Sequence, residues 1–193
     1  MRVLRAADYE AMPWKNGGGI TSQIATYPEA AGLDDFLWRL SMARVEVDGP
    51  FSTFAGVDRS LALVEGDGLV LSVGVHAPVA LRQTYDPLPF AGDESTGCAL
   101  IGGPITDLNI MTRRGRASHV MRSTRLGAGE TLQLALGNRL VFCAEGQVSL
   151  DDGGDEALLD RFDTLDLCAD DGMVRLTALQ PSVLLVTELY LIA

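Results

Sequence analysis

Lys15 is the only lysine in a 193-residue chain whose other fourteen basic residues are arginines. It lies in Met12-Pro13-Trp14-Lys15-Asn16-Gly17-Gly18-Gly19-Ile20-Thr21, after an aromatic side chain and before three glycines that permit an unusual turn or a close backbone approach to a ligand. The Gly-Lys-Ser/Thr order of a phosphate-binding P-loop is missing, which disfavours a nucleotide. The stretch reads either as a binding loop presenting Trp14, Lys15 and Asn16, or as a glycine-rich connection with a solvated lysine and a tryptophan that plugs a barrel end. Phe36–Val45 then reads as a strand, and period two places Arg39, Ser41, Ala43 and Val45 on one face. An arginine turned into a small barrel is costly unless it meets a carboxylate, supplied by the protein or by a ligand. Gly49–Leu61 adds Phe51 and Arg59. In Asp107–Arg114, the residues Asp107, Asn109, Met111 and Arg113 share one face, a stripe that forms a specific pocket if it points inward and is unremarkable if it meets solvent. The ligand-binding candidates are therefore Trp14, Lys15, Asn16, Arg39 and Ser41, together with Phe51, Arg59, Asp107, Asn109 and Arg113. Their shared chemistry is capture of a small anionic metabolite by guanidinium, ammonium and amide groups.

Other chemistries find less support. The two histidines, His76 and His119, stand 43 positions apart, and no pair with metal-ligand spacing exists, so neither a metal nor any other cofactor is expected. Cys98, Cys143 and Cys168 are odd in number and lack CxxC spacing, which points to reduced, buried thiols. No Ser/His/Asp order or GxSxG elbow is present, and no catalytic residue is assigned. Residues 113–125 hold five arginines and no acid (Arg113, Arg114, Arg116, Arg122, Arg125) in a chain of net charge −11. Without aromatic interleaving or a recognition helix, that island reads as ion pairing between two structural units rather than as a nucleic-acid site. The aspartates at 151, 152, 155, 170 and 171 read as solvated turn residues.

The elements that position these residues are short strands. Turn signals such as Asp48-Gly49-Pro50, Gly66-Asp67-Gly68 and Gly102-Gly103-Pro104 separate runs rich in Val, Leu, Ile and Thr, the pattern of an all-β sandwich or barrel. Helix is arguable only near Ala6–Ala11 and Glu29–Asp35. A repeat is visible: Leu61–Leu71 and Leu140–Leu150 share an apolar–x–Glu–Gly–x–x–apolar–x–Leu pattern, one residue shorter after the glycine in the second copy, in which Glu65-Gly66 answers Glu145-Gly146, with glycine supplying a positive φ at the bend. This pattern, with Asp163-Thr164-Leu165-Asp166-Leu167, resembles the cupin superfamily. The expectation is a bicupin of two antiparallel, double-stranded β-helix barrels: residues 1–115 with the ligand site, and residues 116–193, packed as one compact unit. Apolar residues at 47% and charged residues at 21% suit such a globular chain.

The ordered series PWKNGGGIT, FLWRLSMARV, GPFSTFAGVDRSLALVEG, PLPFAGD and DLNIMTRR resembles the HutD/Ves family, small bicupins associated with bacterial histidine utilisation. The resemblance implies a metal-free, non-catalytic regulator that limits pathway induction by binding a small carboxylate such as urocanate or formylglutamate. A metal-independent isomerase or hydrolase using Asp107 or Lys15 for proton transfer is the alternative, and a protein-interaction scaffold a third reading. The N-terminus lacks an apolar signal core and no run reaches membrane-spanning length, so a cytoplasmic protein without a membrane partner is expected. A homodimer is expected by analogy with other cupins.

Overall fold

The computed structural model describes residues 1–151, 157–167 and 172–192. Cys168 and the aspartates at 152, 155, 170 and 171 lie outside the described residues. The described residues are all-β apart from one 3-10 turn at Ala6–Asp8. The Glu29–Asp35 window makes turns rather than helix; Pro28 and Gly32 leave it too short to nucleate one. No helix among the described residues is long and apolar enough to cross a membrane.

The chain divides into two units, Glu10–His119 with the residues from Leu191 on, and Met1–Tyr9 with Val120–Tyr190. Strand β1 (Arg2–Leu4) belongs to the second. The first unit contains β2 (Glu10–Pro13), β3 (Gly19–Tyr27), β4 (Trp38–Val45), β5 (Gly49–Phe51), β6 (Val57–Glu65), β7 (Leu69–Val73), β8 (Val79–Leu81), β9 (Leu88–Ala91), β10 (Thr96–Leu100) and β11 (Ile105–Arg113). They form a six-stranded sheet, β2-β3-β4-β11-β6-β9, and a four-stranded one, β5-β10-β7-β8. Leu61, Leu63 and Ile105 of the larger sheet pack with Leu69, Leu71 and Cys98 of the smaller in one apolar core.

Strand β12 (Ala117–Leu126) leads into the second unit. There follow β13 (Thr131–Ala135), β14 (Arg139–Glu145), β15 (Val148–Asp151), β16 (Ala157–Leu159), β17 (Thr164–Leu167), β18 (Met173–Ala178) and β19 (Ser182–Leu191). Their sheets run β1-β17-β14-β19-β12 and β13-β18-β15-β16, over a core that includes Val141, Leu150, Leu165, Leu176, Leu184 and Val186. The strand order of one unit is thus the order of the other: β4-β11-β6-β9 matches β12-β19-β14-β17, and β5-β10-β7-β8 matches β13-β18-β15-β16. Each unit is a pair of sheets, not a closed barrel, because no ladder joins its larger sheet to its smaller among the described residues.

The unit boundaries differ from the expected 1–115 and 116–193. The N-terminal residues join the second unit because β1 pairs with β17. Asp163 also accepts hydrogen bonds from Arg5 Nη1 (2.6 Å) and Ala6 N (2.8 Å), and Tyr9 Oη donates to Phe162 O (2.8 Å).

The Glu-Gly repeat marks the same device twice. Val64 is bulged out of register against β11, and Ala144 against β19; each precedes Glu-Gly. Gly66 (φ +99°) and Gly146 (φ +85°) then turn the chain. A Cβ on Gly66 would lie 2.7 Å from Ile105 Cγ2 and 2.8 Å from Pro104 O; one on Gly146 would lie 2.5 Å from Pro181 O and collide with Ser182 Oγ. Both the φ and the clash oppose any side chain. Gly66→Ala and Gly146→Ala should each cost at least about 2 kcal/mol in urea denaturation. A loss under about 1 kcal/mol at either site would show that the turn relaxes freely.

Candidate functional site

The candidate site is a cavity of about 640 Å³ in the first unit, a size suited to a small organic molecule. Its floor is the inner face of the six-stranded sheet. Period two brings Arg39, Ser41 and Ala43 of β4, Arg59 of β6, and Asp107, Asn109 and Met111 of β11 to the same face. The register aligns them in rungs: Arg39–Met111–Arg59, then Ser41–Asn109–Leu61, then Ala43–Asp107–Leu63. The rim comes from the β2–β3 hairpin, with Trp14, Lys15, Asn16 and Thr21, and from Phe51 at the end of β5 with Ser52 and Phe54 after it.

Both arginines are nearly withdrawn from water, at 4% and 5% exposure. Arg39 donates through Nε to Gln23 Oε1 (3.0 Å) and through Nη1 to Ser41 Oγ (3.1 Å). Arg59 donates through Nη1 to Ser52 O (3.3 Å), and its Nε has no partner. The rings of Phe90, Phe54 and Phe51 surround its guanidinium at 4.8, 5.6 and 5.7 Å, a cation–π cage that fixes it without neutralising it. Gly92 leaves room for that stem, since a Cβ there would lie 3.0 Å from Arg59 Cδ. Burial pulls Arg59 down to about 10; Asp107 opposes the shift and Arg39 adds to it, yet the group stays cationic at neutral pH. Burial lowers Arg39 as well. Neither arginine closes an ion pair with a carboxylate of the described residues.

Asp107 is 2% exposed and accepts no hydrogen bond from a described residue. Burial raises it from 3.8 to about 7, against the pull of Arg59. Asn109 Oδ1 is likewise buried and unpartnered. On the rim, Trp14 Nε1 donates to Thr21 Oγ1 (2.7 Å), the indole meets Phe51 edge-on at 6.3 Å, and Asn16 Oδ1 accepts from Gly18 N (3.0 Å). Gly19 is required here, because a Cβ would collide with Arg44 O.

Nine of the ten candidates from the sequence converge on this cavity. Arg113 does not. It ends β11 beyond Met111, donates through Nη2 to Asp34 O (2.8 Å) and through Nε to Phe36 O (3.3 Å), and stacks on Phe36 at 5.2 Å. Free loop carbonyls at the strand end capture it away from the floor. Sequence reasoning passed over Gln23, which a register shift at Ile24 brings opposite Ser41, and Phe90, which only pairing of β9 with β6 brings to Arg59.

The histidines lie elsewhere. His76 is exposed in a turn, and His119 binds Thr112 Oγ1 through Nδ1 (2.8 Å) and Ser60 Oγ through Nε2 (2.9 Å). Ser60 and Thr112 alternate with Arg59 and Met111, so they point to the opposite face. Burial lowers His119 from 6.5 to about 4. No metal-type cluster of three or more side chains forms among the described residues. Within the arginine-rich 113–125 stretch, Arg114 binds Asp58 (2.6 Å) and Asp93 (3.0 Å) of its own unit, and Arg122 lies 3.9 Å from Glu188 in the second.

The family model for HutD matches residues 6–186. The chain belongs to the HutD family. It is 37% identical over 179 residues to an uncharacterized 21.2 kDa protein in the hutC 3′ region of Pseudomonas putida, covering 91% of each chain. To protein Ves of Citrobacter koseri it is 41% identical over 119 residues, covering 60% of this chain and 61% of that one. HutD of Pseudomonas fluorescens SBW25, solved in a formate condition, superposes with a TM-score of 0.78 at 33% identity, covering 100% of this chain and 99% of that one. The cupin fold is shown by a cupin 2 conserved barrel domain protein from Leptotrichia buccalis, with a TM-score of 0.62 at 10% identity over 97% of this chain and 100% of that one. The family is associated with histidine-utilisation genes.

Within this HutD-family chain the duplicated frame places different chemistry at matching positions. Glu65 and Glu145, and the register that follows them, set Asp107 against Leu184, Asn109 against Val186, Met111 against Glu188, and Arg59 against Arg139. Leu184 and Val186 belong to the apolar core of the second unit, and Arg139 lies 3.8 Å from Glu188. Of the two matched arginines, Arg59 is buried without a carboxylate partner among the described residues, whereas Arg139 stands beside Glu188.

Asp107 and His119 make opposing contributions to stability. A carboxyl raised on folding takes up a proton in the folded state, so its contribution falls as pH climbs from about 4 to 7. An imidazole lowered on folding loses one, so its contribution rises from about pH 4 to 6.5. Relative to the parent, Asp107→Asn should gain on the order of 3 kcal/mol across its window, and His119→Gln should lose about 2 kcal/mol across its own. Chemical denaturation at half-unit pH steps checks both slopes, and a flat difference curve for either variant contradicts its assignment.

Proposed function

We propose that this protein is a non-catalytic, cytoplasmic binding protein that governs histidine utilisation by holding a small carboxylate metabolite, urocanate or formylglutamate, in the first-unit cavity. The two units are read as the two cupin-type barrels of a bicupin. The observation that carries the reading is the pair of buried guanidinium groups, Arg39 and Arg59, flanking Met111 with no carboxylate of the described residues on either. A buried cation without an ionic partner is costly, and an incoming carboxylate would supply the missing charge through charge-assisted hydrogen bonds. The histidine-utilisation link of the family points to an organic acid of that pathway. Lys15 on the rim adds a third cation, and no metal enters the proposed recognition.

One observation favours a second reading. Asp107, held near neutrality inside the cavity, has the acidity a proton-transfer residue needs, which would suit a metal-independent isomerase or hydrolase. Turnover of either acid, abolished in Asp107→Asn, would establish it.

Titration calorimetry of the full chain with urocanate and with formylglutamate tests the binding reading. One ligand per chain is expected, because the matching positions of the second unit are apolar or ion-paired. Arg39→Ala and Arg59→Ala should each weaken binding by about 10- to 100-fold, the worth of a charged hydrogen bond. Absence of heat with both acids, from protein shown to be folded, would overturn the proposal.

A further inference from the structure

We infer that the cavity selects a ligand carrying, besides its carboxylate, an N–H donor, and that Asp107 is the group that accepts it. This deepens the carboxylate-binding reading and rests on it.

The floor is polarised along β11. At one end the Met111 rung is flanked by Arg39 and Arg59; at the other, the Asp107 rung is flanked by Ala43 and Leu63. Four residues separate the two rungs, about 13 Å of strand, with Asn109 midway. A carboxylate satisfies the arginine end. The same anion brought to Asp107 would meet a second acceptor with nothing between them but repulsion.

Asp107 has no means of satisfying itself. Its cross-strand neighbours, an alanine and a leucine, offer no donor, and Arg59 influences its charge without closing an ion pair. The group is 2% exposed and lines the cavity, so its partner is whatever fills that cavity. A buried acceptor left unsatisfied is unfavourable, and a ligand that brings a donor to it recovers that free energy on binding. Asn109 stands between, with an amide oxygen that meets no protein donor. Since an amide offers a donor edge as well as an acceptor, Asn109 can hold either portion of the ligand. The cavity therefore combines a cationic end that reads an anion with an acceptor end that reads N–H. A simple dicarboxylate of the same length satisfies only the first.

The test compares urocanate with furylacrylate, whose ring has an oxygen in place of the N–H and a C–H in place of the second nitrogen, while the carboxylate, the planar shape and the size are kept. The Asp107 variants isolate the part of the preference that the N–H supplies. At pH 8, calorimetry on the parent protein should give urocanate a preference of about 10- to 100-fold. Asp107→Leu, similar in volume and without an acceptor, should bring urocanate down to the level of furylacrylate and leave furylacrylate within about threefold of its parent affinity. Asp107→Asn keeps a neutral acceptor and should retain only part of the preference, which maintains the test if the leucine variant does not fold. Equal binding of the two ligands by the parent would overturn this inference and leave the carboxylate reading standing. A preference that survives intact in the leucine variant, or in the asparagine variant if leucine does not fold, would also overturn it. Failure of both ligands to bind the parent would defeat the carboxylate reading itself, and this inference with it.

Discussion

Two guanidinium groups withdrawn from water on one sheet face, with no carboxylate among the described residues to neutralise either, are the constraint around which the first unit is arranged. Left to relax, such groups would move toward solvent or an acid. Three things prevent it. The Arg39 fork is held by Gln23 and Ser41; the Arg59 guanidinium is boxed by Phe51, Phe54 and Phe90; and the β2–β3 hairpin supplies the rim above them. Trp14 is locked to Thr21 and stands against Phe51, so the rim is tied to the same aromatic group that boxes Arg59. Gly19 and Gly92 make sense in this frame, because each leaves space where a β-carbon would force the hairpin or the arginine stem aside.

Asp107 is the counterpoint. A carboxylate in contact with Arg59 would cancel the cavity's charge and leave little to attract an anion. Its place two rungs along the strand, shielded by burial, avoids that cancellation. Proton linkage follows from the same alternation of faces. One face of the sheet holds a carboxyl that burial favours as the neutral acid, and the other holds His119, which burial favours as the neutral base between two hydroxyls. Below neutrality the two titrations offset one another, so the parent responds to pH less than either group would alone.

The strand alternation was legible because period two is a local property: Arg39 with Ser41, and Asp107 with Asn109, reach a common face by arithmetic alone. So was the repeat, since Glu65-Gly66 and Glu145-Gly146 mark turns that demand positive φ. Pairing across the sheet is not local, and there the sequence was silent. Arg113 keeps the period of Asp107 yet leaves the floor, because the strand ends at it and the carbonyls of Asp34 and Phe36 lie within reach. Gln23 joins the site through a bulge at Ile24 that no period reveals, and β1 crosses to the second unit on a pairing with β17 that no local signal announces. The expected closed barrels are paired sheets for a similar reason, closure being a property of ladders rather than of strands.

The duplication separates what the fold needs from what the site needs. Both units keep the bulge before Glu-Gly, the glycine turn and the strand order. At the matching inner positions the second unit has Leu184 and Val186, which contribute hydrophobic burial, and its arginine, Arg139, lies beside Glu188. The frame therefore folds well with an apolar interior. The first unit's Asp107 and Asn109 are not demanded by the architecture, since the same architecture holds Leu184 and Val186 at the matching positions 77 residues later. A polar group that the fold does not require, that is buried, and that lacks a partner destabilises the protein with no structural return. That internal contrast, between two copies of one frame in a single chain, is the strongest physical argument that the first-unit cavity is a binding site and the second-unit interior is a core.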